Sequence, residues 1–424
     1  MIGFLLRGLL RDKHRSVLPV IIVGLGVILT VYLYSFMVGV FNDMIDDNAR
    51  FDTGHVKIMT QAYNELSSQL PNDLAITGAD SLINLLRKQY PSFDWVERIK
   101  FGGLIDIPDS VGETRAQGPI MGIGLDLIGT GSHESARMKL DQALVRGRLP
   151  RRAGEVMVSD ALARDMDIPL GQTVTLLAAS ANGGMSVQNF VLVGTFAFGI
   201  SSLDRSAMFA DIHDIQYALE MEGCAGEILG FARSMIYSGE EAGQLKKEFA
   251  RDHAMLKGEF APVMLTLEDQ NDLREYLQYA EEIGFIIVAV FIFAMSLVLW
   301  NAGLMSGIRR YGEVGVRLAM GESKPHIYRS LIYESICVGL IGSLGGTLIG
   351  LAVAYYFQEV GMDFSGTFRG SGLLMENVMR ARVTTTSYYI GFIPGLLATL
   401  LGTMVSGVGI FKRQTATLFK ELES

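Results

Sequence analysis

Residues 283–308 read IGFIIVAVFIFAMSLVLWNAGLMSGI, 26 positions without an Asp, Glu, Lys or Arg. A bilayer core about 30 Å thick takes about 20 residues of helix, so this run is long enough to cross it. Three other stretches match it: Val17–Val40, Ser335–Gln358 and Val383–Phe411, of 24, 24 and 29 residues. Buried helices of a soluble core rarely stay uncharged for so long, and 49% of the 424 residues are apolar. The fold class that follows is an α-helical membrane protein with four transmembrane helices. A signal peptide is the other reading of the first run, since Arg7, Arg11, Lys13 and Arg15 precede it. Its length exceeds an ordinary h-region, and Met37-Val38-Gly39-Val40-Phe41 offers no small-x-small cleavage site. It reads as a retained anchor.

Charge sets the expected orientation. Residues 1–16, the connection 309–334 and the tail after Phe411 are rich in Lys and Arg, whereas loop 359–382 balances its three arginines with acids. Positive-inside counting places both termini and the 309–334 connection in the cytoplasm. Residues 41–282 then lie outside, carrying 36 Asp and Glu against 21 Lys and Arg, a net charge of −15 in a chain of net −9. The domain plan is 1–40 for the N-terminal helix and first span, 41–282 for the extracytoplasmic domain and 283–308 for the second span. It continues with 309–334 as cytoplasmic loop, 335–358 as third span, 359–382 as short outer loop, 383–411 as fourth span and 412–424 as tail. Cys224 and Cys337 fall in different compartments, and no basic nucleic-acid surface is present.

The outer segment alternates strand and helix signals and reads as α/β (α+β). Phe41–Arg50 continues the first span as a stalk. Strands are expected at 54–58, Trp95–Ile107, Pro119–Leu127 and Gly154–Val158. A helix is expected over Ala79–Gln89, and Ser159 or Asp160 caps a short helix through Met166. Thr173–Ala178 and Val187–Phe196 form a hairpin around Asn182-Gly183-Gly184. A helix over Glu240–His253, a strand over Pro262–Thr266 and a charged helix over Glu268–Glu282 close the segment on a second stalk. The chemistry of catalysis is absent from the pattern. There is no G-x-x-x-x-G-K-[ST] loop, no H-E-x-x-H and no Cys/His pairing among six scattered histidines, so no catalytic residue, metal or cofactor is expected.

Three features point to contacts. Gly342, Gly346 and Gly350 recur every four residues in the third span, a pattern that lets helix backbones approach closely, either within the chain or between subunits. Asn301, the most polar residue of the second span, is expected to face protein. The 309–334 connection holds an amphipathic helix with Val316, Leu318 and Met320 among charges, a stop at Gly321 and a cap at Ser323. It reads as a membrane-surface helix or as a docking helix with apolar anchors in a charged rim.

The segment Arg309-Arg310-Tyr311-Gly312-Glu313-Val314-Gly315-Val316-Arg317-Leu318-Ala319-Met320-Gly321-Glu322-Ser323, through Ile327, resembles the R-R-x-E-I-G-x-x-R-A-x-G-A-S-x-x-x-I pattern of FtsX-like permeases of ABC transporters. It departs by one residue before Glu313, by Leu318 for Ala and by Glu322 for Ala. Arg146-Gly147-Arg148, Gly154-Glu155-Val156, Pro169–Leu176 and Val193–Phe196 are similar to the family's outer-domain run, so the resemblance covers nearly the whole chain. After Phe411 the usual P-x-x-A-L is missing.

The resemblance implies a transporter subunit of the inner membrane without its own ATPase motif. Its outer domain would be like that of the macrolide-exporter type, and the lipoprotein-releasing type fits best. It further implies a second permease copy or paralogue, two copies of a soluble ABC ATPase carrying the ATP and Mg, surrounding membrane lipid, and a lipoprotein substrate with a periplasmic carrier. Arg310, Glu313, Val316, Arg317, Leu318, Met320 and Gly321 would couple to the ATPase. The hairpin tip Ala179–Met185 is short and lacks the long hook of one releasing subunit. Efflux of a peptide or drug through an adaptor, or control of a periplasmic hydrolase, are the other readings.

Overall fold

The structure, a computed structural model, describes residues 13–109, 111–234, 236–270, 273–308, 311–364 and 378–412. It divides into two compact units: Met1–Asn42 with Gln278–Met362 and Met379–Ser424, and Asp43–Leu277 with Asp363–Val378. The helices that matter here are α1 (Lys13–Asn48), α2 (Ala79–Gln89), α3 (Ile212–Ala218), α4 (Gly239–Asp252), α5 (Leu273–Ile308), α6 (Tyr311–Ala319), α7 (Lys324–Val360) and α8 (Thr399–Lys412). The strands are β1 (Val56–Thr60), β2 (Ile76–Thr77), β3 (Phe93–Pro108), β4 (Thr114–Leu125), β5 (Leu144–Gly147), β6 (Glu155–Ser159), β7 (Thr173–Ala179), β8 (Met185–Phe196), β9 (Ala207–Asp211), β10 (Cys224–Ala225), β11 (Glu227–Ala232) and β12 (Pro262–Thr266).

Among the described residues four segments are long and apolar enough to cross a membrane: Val17–Thr53, Glu282–Asn301, Lys324–Val360 and Thr385–Val405. In the helical unit Val23, Val27, Val31 and Leu351 are buried together. The glycine face of α7 makes this possible. A Cβ on Gly342 would lie 2.7 Å from Val23 Cγ1, one on Gly346 would lie 2.6 Å from the Gly24 carbonyl oxygen, and one on Gly350 would lie 3.1 Å from Val31 Cβ. Of the two readings of this face, the structure shows packing within the chain. The fourth span is not a regular helix. It opens with a 3₁₀ turn at Thr385–Tyr388, passes through a π-helix at Ile393–Ala398 and becomes α8 only at Thr399. Pro394 lacks the N–H that a regular turn needs, which accounts for the break.

The α/β unit has two halves sharing β3. Its first six residues pair with β11, and β11 pairs with β1, which pairs with β12. Helices α2 and α4 cover this half, burying Ile83, Leu86, Leu245 and Phe249 beside Trp95. From Ile99 onward β3 pairs with β4 and β7. The pairings β4–β9, β9–β6, β6–β8 and β8–β7 then close a six-stranded barrel. Its interior holds Ile105, Ile107, Val156, Val174, Leu176, Phe190 and Met208, with Ile212 and Ile215 of α3 packed in. Closure removes free edges there. Of the edges that remain in this sheet, at β5 and β12, the one at β12 is blunted. Hydrogen bonds Leu267 N to His55 O and Gln61 N to Ala261 O turn Pro262, Met264 and Thr266 outward. Pro262 has no N–H, while Thr266 donates to Asp269 and accepts from Gln270.

Helix Ala79–Gln89 and strand Pro262–Thr266 fall where the sequence places them. Ser159 is the cap, its hydroxyl accepting from Leu162 N at 3.2 Å. The third transmembrane helix begins eleven residues before Ser335, at Lys324.

The seam generates a stability prediction. Gly346→Leu forces α1 and α7 apart within one chain, costing about 1–3 kcal/mol or more. The detergent-solubilised monomer should melt lower than wild type by scanning fluorimetry. A lowered association constant with an unchanged monomer melt would instead put this face between subunits.

Candidate functional site

Helix α6 is short, and its ends decide what it presents. Gly321 N–H donates to Leu318 O and Glu322 N–H to Arg317 O, both at 3.0 Å, closing a Schellman stop on Gly321, whose φ is +92°. Val314 and Ile327 are buried against each other, with Leu318 and Leu331 packed beside them. Val316 and Met320 remain exposed, at 42% and 74%. Of the three expected anchors, Leu318 therefore serves the helix's own packing, and two remain available. Arg317 is half-buried. Arg310 and the side chain of Glu313 lie outside the described residues. Ser323 occupies the N-cap of α7, but its hydroxyl makes no capping bond, contrary to the sequence reading. Asn301 is exposed on the single chain, so the expectation that it faces protein is not met by its own fold.

Sequence reasoning missed a charged cluster in the α/β unit. Helix α1 ends at Asn48 in a π-helical turn, Ala49–Thr53, that is almost wholly buried. Lys57 Nζ lies 3.1 Å from Glu227 Oε1 and 3.5 Å from Asp52 Oδ1, while Lys100 pairs with Asp52 and reaches Glu227 at 3.2 Å. Beside it, Arg98 donates from Nε to Glu134 at 2.8 Å and from a terminal nitrogen to the Arg50 carbonyl at 2.6 Å. Arg137 pairs with Glu134 and Asp94 and stacks over the Phe231 ring at 4.3 Å. Arg98 and Glu134 are 0% exposed, so neither charge is sustained by water. Gln270 ties in the other end, donating to the Thr53 carbonyl at 3.3 Å.

Burial and neighbouring charge compete here, and burial wins at Lys57, whose pKa is lowered, but not at Asp52 or Lys100. Burial alone would raise Asp52, but Lys100 and Lys57 outweigh it and hold its carboxyl far below the usual range. Burial opposes Lys100 too, yet Asp52 and Glu227 hold it above the ordinary lysine value. His55, next to the turn, is buried; its Nδ1 accepts from Ala232 N at 3.0 Å. Burial first, then the Arg137 charge, lower its pKa to about 4. The visible signal was the placing of charge inside apolar strands, Val56-Lys57-Ile58 and Arg98-Ile99-Lys100. Chemically the cluster binds backbone to backbone: it holds the 49–53 turn to β1, β3 and β11. No group of three or more His, Cys, Asp or Glu suited to a metal ion occurs among the described residues.

Residues 285–415 match the model of the FtsX-like permease C-terminal family. The lipoprotein-releasing system transmembrane protein LolC of Haemophilus influenzae is 21% identical over 275 residues, 62% of this chain and 63% of its own length. The macrolide export ATP-binding/permease protein MacB of Hyphomonas neptunium is 30% identical over 81 residues, 19% of this chain and 13% of its own length. The chain thus spans less than two thirds of the curated relatives it matches. The periplasmic region of MacB from Actinobacillus actinomycetemcomitans aligns with 53% of this chain and 94% of its own, at 12% identity and a TM-score of 0.35.

Neutral His55 gives a pH dependence with a definite sign. The folded ring takes a proton only near pH 4, the unfolded one near 6.5, so unfolding binds a proton between those values. Stability should fall as pH drops from 6.5 to 4, by on the order of 3 kcal/mol from this residue. Glu97, raised to about 7 by burial and then Asp80, acts in the opposite sense, so the informative quantity is wild type minus His55→Asn. That difference in melting temperature should shrink on acidification; a pH-independent difference would show that His55 is not held neutral.

Proposed function

We propose, from the FtsX-like permease domain that this chain carries over residues 285–415, that it is the membrane subunit of an ABC transporter. A separate soluble ATPase docks on its cytoplasmic side, and ATP hydrolysis there is converted into rearrangement of an extracytoplasmic α/β domain. The observation that carries this reading is α6. It is a short helix with a firm stop at Gly321, and Val316 and Met320 are left exposed on a surface flanked by charge. Apolar anchors within a charged rim suit a groove on a partner protein. The chain itself has no phosphate-binding loop.

The orientation, with both termini in the cytoplasm of the inner membrane, rests on the distribution of Lys and Arg. Exposed Asn301 supports pairing with a second copy or a paralogue, because an amide in a lipid-facing position gains from a polar partner. Of the possible cargoes we favour lipoprotein release, since similarity to LolC runs over 275 residues. Export of a drug or peptide is the second reading, supported by the shorter but more similar MacB segments. A periplasmic carrier or adaptor goes with either.

Val316→Asp and Met320→Asp place charge where the partner's groove would close, without touching the packing of Val314, Leu318 and Ile327. Each should weaken ATPase binding by roughly 10- to 100-fold in co-purification and lower transport-coupled ATP hydrolysis, while the permease still assembles in the membrane. A helix lying only against lipid headgroups would lose no ATPase affinity. Unaltered binding and stimulated turnover in both variants would remove α6 from the coupling path.

A further inference from the structure

The barrel wall is covered unevenly. Over β6 and β9 its outer side is packed by a second apolar cluster that includes Phe51, Ile123, Met157 and Phe209. Over β8, β7, β3 and β4 it is exposed only in part, around residues 185–187, 177–179, 102–104 and 119–121. The register there aligns Val187, Leu177, Leu104 and Pro119 directly across four neighbouring strands. Met185 and Met121 stand in the next row, opposite Ala179 and Gly102. Met185 is 81% exposed, Val187 60%, Met121 59% and Leu104 41%. Neither row contains a charge, although the 41–282 segment has a net charge of −15. The nearest ionisable groups on this face are Asp106, one row beyond Leu104, and Lys100, one row beyond Gly102.

Two magnitudes choose the occupant. Four strands about 4.8 Å apart, carrying two apolar rows, make a patch on the order of 300 Å². A free partner captured from solution needs about 800 Å² on each side, and a convex barrel wall buries less than a flat face. Such a patch serves a partner already held nearby, for which effective concentration replaces area. A second copy in the same membrane meets that condition. It is equally acidic, so two of these domains approach at least cost where both are uncharged. We propose that the outer wall formed by β8, β7, β3 and β4 is the contact face between the α/β domains of two copies of this chain. The contact is isologous, with Leu104 and Leu177 near the two-fold axis. This rests on the pairing of copies proposed above and adds the surface that meets.

The test uses full-length protein in native membranes, with Cys224→Ser and Cys337→Ser removing the two natural thiols. Leu104→Cys and Leu177→Cys are oxidised in parallel with Tyr217→Cys, a more exposed site on α3 outside these four strands. The expected result is a disulfide-linked dimer at Leu104→Cys and Leu177→Cys, several-fold more abundant than at Tyr217→Cys. Mass photometry of the same preparations reports pairing independently. Dimers by mass photometry with no excess cross-linking overturn the contact face and leave pairing intact. Monomers throughout overturn both. Cross-linking of the two cysteines to a different protein overturns the second copy as occupant.

Discussion

An arginine and a glutamate with no exposed surface, Arg98 and Glu134, have to be neutralised by each other or not be charged at all. Everything at the start of the α/β unit follows from meeting that condition. Arg98 spends a second donor on the Arg50 carbonyl, which the π-helical turn leaves accessible, and Arg137 completes the glutamate. A few ångströms of chain further, Lys57 and Lys100 share Asp52 and Glu227. The cost of removing such groups from water exceeds what hydrophobic replacement would incur, so the cluster is a poor way to gain stability. It is a good way to fix one arrangement, because any displacement of the 49–53 turn would strand a buried charge.

The helical unit solves a different problem with different means. Helices in lipid gain little from hydrophobic burial against each other and rely on close packing. The glycines of α7 bring it onto the backbone of α1, where Gly24 and Val27 lie within contact of Gly346. Gly391 and Gly395 flank Pro394 at the π-helical stretch of the fourth span, where an added Cβ on either would meet Val27 and one on Gly395 also Ser343. A rigid seam beside an irregular helix, and a charge-locked turn in the α/β unit, are properties expected of a protein whose proposed role is to carry force.

Much of this was legible beforehand, for physical reasons. Uncharged runs longer than a bilayer and four-residue glycine spacing are local signals, and both survived. So did Ser159 as a cap and the Gly321 stop, each decided within a few residues. What escaped notice depends on distant pairing. Strands β9 and β11 are buried at every position and lack alternation, so their periodicity says nothing. The barrel closes only because β7 returns to β3 across about seventy residues. Lys57 and Lys100 look like ordinary solvated charges until the fold brings Glu227 between them. Leu318 and Met320 share a sequence pattern, and only the position of Ile327 shows which one turns inward.

The claim on which the rest leans is that Asp52 and Lys100 act as one buried unit holding the 49–53 turn. A double-mutant cycle measures this directly, using Asp52→Asn, Lys100→Met and the pair, with unfolding of the full-length protein followed in detergent. Each single variant leaves an uncompensated buried charge and should cost about 3–5 kcal/mol. The double variant should cost less than the sum by about 1.5 kcal/mol or more. Additive losses would mean that the two groups do not depend on each other, and the charge-locked turn would have to be abandoned.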